Sequence, residues 1–171
     1  PPELALLSSA HMVVDVDAGA QAVVRTVIVR GSPAATVGAL KSRLDLREGS
    51  PYEPLALRQR LETFVEGLRR GRYYEANAEP FEVVGADGAA VDLTIAVTRG
   101  PLVTIAFAGD ALSAKQRTDL VPVALEGSAD KDLLEDSERR IEDALRAAGY
   151  KDARAPFTRS EQDGRLRIVF T

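Results

Sequence analysis

The sequence contains no cysteine, so disulfides and thiolate metal sites are excluded, while the redox compartment stays undecided. It contains one histidine, His11. With no second histidine or cysteine to complete a ligand set, a structural or exposed role is favoured over metal binding or catalysis. Long apolar runs are missing too. Stretches such as Leu4 to Leu7 and Ile105 to Ala108 fall far short of the roughly 20 residues a membrane helix needs. There is no excess of positive charge: 22 Lys and Arg stand against 26 Asp and Glu, a net charge of −4. That weakens a nucleic-acid reading, because phosphate binding wants a basic face. No serine sits in a nucleophile elbow, and no glycine-rich phosphate loop occurs. An enzyme reading therefore has no constellation to rest on, and no cofactor is expected. The chain opens Pro1-Pro2-Glu3, with neither Met nor a charged-then-apolar leader, and is expected to be a piece of something longer.

What is present is a repeat. Three alternating apolar runs share one pattern: Met12-Val14-Val16 before Gly19, Leu93-Ile95-Val97 before Gly100, and Leu166-Ile168-Phe170 at the C-terminus. Each is the period-two signature of a half-buried strand. After the first two comes another strand ending at a glycine, Arg25 to Gly31 in one copy and Val103 to Gly109 in the other. Gly31 and Gly49 recur as Gly109 and Gly127. Leu57, Phe64, Leu68 and Tyr73 recur as Leu134, Ile141, Leu145 and Tyr150. Pro80-Phe81 and Asp87-Gly88 recur as Pro156-Phe157 and Asp163-Gly164. The spacing drifts by one residue at a time, as small loop deletions would produce.

The punctuation defines the elements. Ser32-Pro33 is expected to cap a short helix over about residues 33–44. Ser50-Pro51-Tyr52-Glu53 has the form of a capping box with an N1 proline. Behind it, Leu57, Leu61, Phe64, Val65 and Leu68 make one buried helical stripe. In copy two, Ser113 and Gln116 form a capping box, and Leu134, Ile141, Leu145 and Ala148 make the stripe. Each copy finishes in two strands joined by Asp-Gly, a hairpin signal. The expected fold class is α+β: two tandem β-α-α-β-β modules over 21–100 and 101–171, with 1–20 the tail of an upstream module. In each, both helices cover one face of a three-stranded sheet. The short connection Arg99-Gly100-Pro101 predicts a limited range of inter-module angles.

Val27 to Gly31, Leu44 to Gly49, Leu68 to Tyr74 and Val97 to Pro101 together resemble the POTRA domain. Leu145 to Tyr150 is the closer match to that family's Gly-Tyr turn; copy one departs from it, with Arg72 between Gly71 and Tyr73. The resemblance covers roughly residues 21–171. It implies a mixed sheet of order 1-3-2 with the second strand at an edge, and no catalytic residues. It also implies a non-catalytic periplasmic scaffold within an outer-membrane protein of the BamA type or a surface-antigen relative. Such a scaffold would serve outer-membrane protein assembly or secretion, and any membrane contact would run through a barrel absent from this chain. The implied partners are unfolded outer-membrane polypeptides or subunits of the assembly machine.

The candidate binding element is an open sheet edge. Residues 75–84 and 152–159 each carry a proline, Pro80 and Pro156, in strand-like sequence, and proline is tolerated mainly at edges. The missing donor at Pro80 favours Phe81, Glu82, Val83 and Val84 as the stretch to which a partner strand adds. Arg159, Glu161 and Asp163 discourage pairing at the second edge. On the outer face of the first sheet, Val24 and Ile28 are expected to point away from the helices. Other features have plainer readings. The acidic residues between Asp130 and Asp143 alternate with Lys131, Arg139, Arg140 and Arg146, as on a solvated helix face. Arg69, Arg70 and Arg72 suit a helix C-terminus, and Gly71 suits a helix cap. Gly85-Ala86-Asp87-Gly88 fits the Gly-x-x-Gly of an RNA-binding KH module, the alternative function, but reads better as a hairpin turn.

Overall fold

The computed structural model describes residues 12–16, 21–86, 88–109 and 112–171. Its elements run β1 (Val23–Ser32), α1 (Ala34–Leu44), α2 (Pro54–Arg70), β2 (Asn77–Val84), β3 (Ala90–Thr98), β4 (Leu102–Phe107), α3 (Ala114–Leu120), α4 (Val123–Glu126), α5 (Lys131–Ala147), β5 (Phe157–Gln162) and β6 (Arg165–Phe170). They form two three-stranded mixed sheets, ordered β1-β3-β2 and β4-β6-β5. In each, the last strand lies in the centre, parallel to the first and antiparallel to the second.

Alternation in the central strands decides which face is buried. Val91, Leu93, Ile95 and Val97 of β3 are buried, as are Leu166, Ile168 and Phe170 of β6. Onto Leu93, Ile95 and Val97 of the first row pack Leu40 and Leu44 of α1 with Leu57, Leu61 and Phe64 of α2. Onto the second row pack Leu134 and Ile141 of α5, with Val121 at the end of α3 and Val123 of α4. Truncating one such leucine to alanine costs about 2–5 kcal/mol, so these stripes hold the helices down. The second core is the more aromatic: Phe170 stacks on Phe107 at 5.6 Å between centroids and meets Phe157 at 5.8 Å.

Local punctuation follows the sequence in some places and not in others. The Ser113–Gln116 capping box forms, each partner bonding the other's backbone N–H. The expected box at Ser50 does not. The Ser50 hydroxyl donates to the Arg47 carbonyl, Pro51 bridges to Val23, and α2 starts at Pro54 without a side-chain cap. The segment is drawn to the sheet edge instead of the helix. Ser32 likewise gives α1 no side-chain cap; Pro33 is its N-cap residue. Ala148, placed in the stripe of α5, is the exposed residue at its C-terminus. Gly71 does end α2, but the left-handed residue there is Arg72 (φ 68°), in the place that Gly149 (φ 101°) holds after α5. Tyr73 and Tyr150 then donate to Leu68 and Leu145 respectively, closing the same helix-end motif.

Val24 overturns the expectation for the outer face. A bulge at Arg25 sets Val24 opposite Val91 but Thr26 opposite Asp92. The extra residue reverses the alternation, and Val24 is fully buried. Only Ile28 of the expected pair faces outward, 42% exposed. Residues 12–16, read as an upstream strand, are exposed and lie in neither helix nor strand. His11 lies outside the described residues.

The modules meet through named contacts. Tyr74, after α2, packs against the core of the second module. The Val103 N–H donates to the Arg72 carbonyl at 3.0 Å. Gly127 (φ 63°) sits so close that a Cβ there would stand 3.2 Å from the Arg69 guanidinium carbon.

Candidate peptide-binding edge

β2 pairs with β3 on one side. Among the described residues, no backbone hydrogen bond reaches its other side. The ladder's phase decides which groups that open side presents. Gly85 donates to Ala90 at the hairpin, so Val83, Phe81, Glu79 and Asn77 hold the hydrogen-bonded positions against β3. The N–H and C=O groups of Ala78, Glu82 and Val84 therefore point outward. Pro80 occupies the remaining outward position, where its missing N–H costs the sheet no ladder bond. Its effect falls on the open edge, which leaves the two donors of Glu82 and Val84 as the nearest continuous pairing stretch.

Side chains divide by the same register. Phe81 and Val83 lie on the uncovered face, opposite Thr94 and Asp92. They are 54% and 64% exposed, and Ile28 lies across Thr94 from Phe81. Glu82 and Val84 lie on the helix side at the sheet margin. There the Tyr52 hydroxyl is buried without a hydrogen-bond partner. Burial first, and the Glu82 carboxylate second, push its phenol pKa upward. Beside this patch, Asp92 takes hydrogen bonds from both Arg25 and Thr26. Those bonds, Arg25 foremost, hold its pKa down at about 2.

The first strand of the same sheet is less open. The Val24 N–H donates to Ser50, Gly49 donates to Val24, and Tyr52 donates to Ala22. Residues 49–52 thus cover the start of β1.

The second module has the same order of strands and a different edge. Thr171 donates to the Pro156 carbonyl, which places Pro156 before β5 at a bonded position. It therefore does not mark the edge as Pro80 does. The outward positions include Arg159 and Glu161, which approach each other at 3.5 Å. Asp163 (φ 51°) and Gly164 (φ 69°) form the tight turn that joins β5 to β6.

The remaining sequence candidates resolve plainly. Gly85 and Gly88 lie in the β2–β3 hairpin, not between two helices. Along α5, Lys131 pairs with Glu135, Arg139 with Asp136, and Arg146 with Glu142 and Asp143. Three features were missed in the sequence: the Arg25 bulge, the covered start of β1 and the buried Tyr52 hydroxyl. The bulge's only signal is that Arg25 stands where the repeat has Val103.

Neither a family model nor a curated protein matches the sequence. Among solved structures, POTRA3–5 of Haemophilus influenzae BamA aligns with 89% of this chain and 61% of its own, at 15% identity and a TM-score of 0.45. POTRA1–2 of the periplasmic domain of Omp85 from Anabaena aligns over 88% and 95%, at 12% identity and 0.43. The N-terminal domain of Omp85 from Thermosynechococcus elongatus aligns over 89% and 63%, at 17% identity and 0.41. The chain thus spans less than two thirds of the Haemophilus and Thermosynechococcus chains. Within the chain itself, the third strand takes the centre of the sheet in both copies. Two helices follow the first strand in copy one, and in copy two the short α4 stands between their counterparts α3 and α5. The strand order is the one the POTRA resemblance implied, and α4 is an addition to the two expected helices. Both modules are POTRA-like. In the first POTRA-like module the second strand is a bare edge with apolar Phe81 and Val83 on its uncovered face and Glu79 and Glu82 among its exposed residues; in the second it carries Arg159 and Glu161. No described helix is long and apolar enough to cross a membrane.

Proposed function

We propose that the first POTRA-like module receives an extended polypeptide segment by strand addition along Phe81, Glu82, Val83 and Val84. It would act as a non-catalytic scaffold in the periplasm, within outer-membrane protein assembly or secretion. The clients are unfolded outer-membrane polypeptides or subunits of the same machine. One observation carries this reading: the outward backbone groups of Glu82 and Val84 are unpaired beside exposed Phe81 and Val83, whereas the opposite edge is covered at its start. Main-chain pairing recognises a strand with little regard to its sequence, and alternate side chains on the open face add selectivity for apolar residues. Barrel strands alternate apolar and polar residues, which suits one apolar face and one polar margin.

The test is a titration of isotopically labelled protein with peptides from barrel strands. Saturable amide shifts at residues 81–84, strongest at Glu82 and Val84, are expected. Shifts confined to the helices, with 81–84 unmoved, would rule out this binding mode.

A further inference from the structure

A cleft of about 320 Å³ lies on the helical side of the first module, away from the β2 edge. Its floor is small and apolar, formed by Ala35 and Ala39 of α1 with Gly67 and Leu68 of α2. Arg43 and Arg99 stand at its walls. The Arg43 guanidinium carbon lies 5.8 Å from the Phe64 ring centre, and that of Arg99 lies 4.5 Å from Tyr73. Arg99 is also fixed by its backbone, whose N–H donates to Ser32 at 3.2 Å.

Neither arginine has a carboxylate partner among the described residues, and no acidic side chain lines the cleft. The Nε of Arg99 is buried without a hydrogen-bond partner. Leaving a guanidinium donor unsatisfied costs free energy, whereas Arg25 and Arg146 are fully engaged by carboxylates. The dipole of α1 accounts for Arg43, which lies in its last turn. It does not account for Arg99, which follows β3. A guanidinium placed over a ring loses less freedom when it binds, and its planar fork matches the two-oxygen geometry of a carboxylate. A polyanionic surface is a poorer occupant, because a chain of net charge −4 repels one.

We infer that this cleft binds a carboxylate carried on an apolar polypeptide segment of a partner. The site is independent of strand addition at β2.

The experiment uses the two-module chain with labelled arginine side chains. The probes are a short peptide bearing one glutamate among leucines and alanines, the same peptide with glutamine, and inorganic phosphate. The guanidinium signals of Arg43 and Arg99 should shift saturably with the glutamate peptide, and the glutamine peptide should bind about tenfold more weakly. Arg43→Gln lies on an exposed helix turn and should keep the thermal unfolding midpoint while losing about fivefold or more in affinity; Arg99→Gln should do the same. Equal binding of both peptides overturns the inference. So does saturation by phosphate without binding of the glutamate peptide, or a response confined to the amides of 81–84.

Discussion

The two modules share one wiring and differ at their outer strands. In the first, Ile28, Phe81 and Val83 leave an apolar strip on the uncovered face and β2 presents bare backbone beside it. In the second, the corresponding face carries Thr104, Arg167 and Ser160 in its central row, flanked by Leu102, Arg165 and Gln162 on one side and Ala106, Val169 and Thr158 on the other. Arg159 and Glu161 stand at its margin. Charged side chains on an edge strand discourage pairing with other chains. The comparison teaches that a repeated fold need not be a repeated function: core positions recur because packing demands them, and the edge is free to diverge.

Proline substitutions should break the comparison most sharply. Glu82→Pro removes an outward donor and leaves the β3 ladder whole; strand-peptide affinity should fall about tenfold or more with little change in melting temperature. Phe81→Pro removes a ladder donor and should cost about 1–3 kcal/mol of stability. Calorimetry and peptide titration on both variants check the pair, and equal destabilisation by the two would refute the assigned phase.

The joint comes next. Gly127→Val forces a side chain into a left-handed position against Arg69, at a cost of about 1–2 kcal/mol from backbone strain alone. The second module should melt earlier, and X-ray scattering should report a wider spread of module orientations. A smaller effect separates the two helix ends. Arg72→Gly should stabilise the first module by about 0.5–1 kcal/mol, and Gly149→Ala should destabilise the second by about 1 kcal/mol. Thermal unfolding measures both, and opposite signs are the expected outcome.

Acid should also distinguish the sheets. The Asp92 pKa is depressed in the folded chain to about 2. Its contribution is therefore present above the ordinary carboxylate range and is lost as pH falls towards 2. Asp92→Asn should flatten the acid-unfolding profile of the first sheet in that window. The second module has no counterpart at this position, where β6 carries Arg167 or Arg165, and its profile should not move.

Much of this was legible in the residues. The repeat, the two long amphipathic helices α2 and α5 and the apolar rows of the central strands follow from spacing, because burial enforces periodicity, whereas the single-turn α4 is too short to show a period. The unoccupied edge was legible from one proline, since Pro80 marks an outward position. The same rule misled at Pro156, which lies outside its strand. Val24 was misplaced because alternation counted back from Gly31 cannot register a bulge, and one inserted residue inverts everything before it. The Ser50 box was misread because its residues satisfy the helix-start pattern, yet the open edge of β1 competes for the same backbone and wins. Tyr74 was invisible as an inter-module contact, since nothing local distinguishes an aromatic that fills its own core from one that fills a neighbour's.

Tyr74 makes the dependence between modules one-sided. The first core is built wholly from residues 27–97, whereas the second takes in one ring from outside its own span. During synthesis the lender emerges before the borrower. The first module can therefore close before the second begins, and it then offers a template on which the second completes its packing.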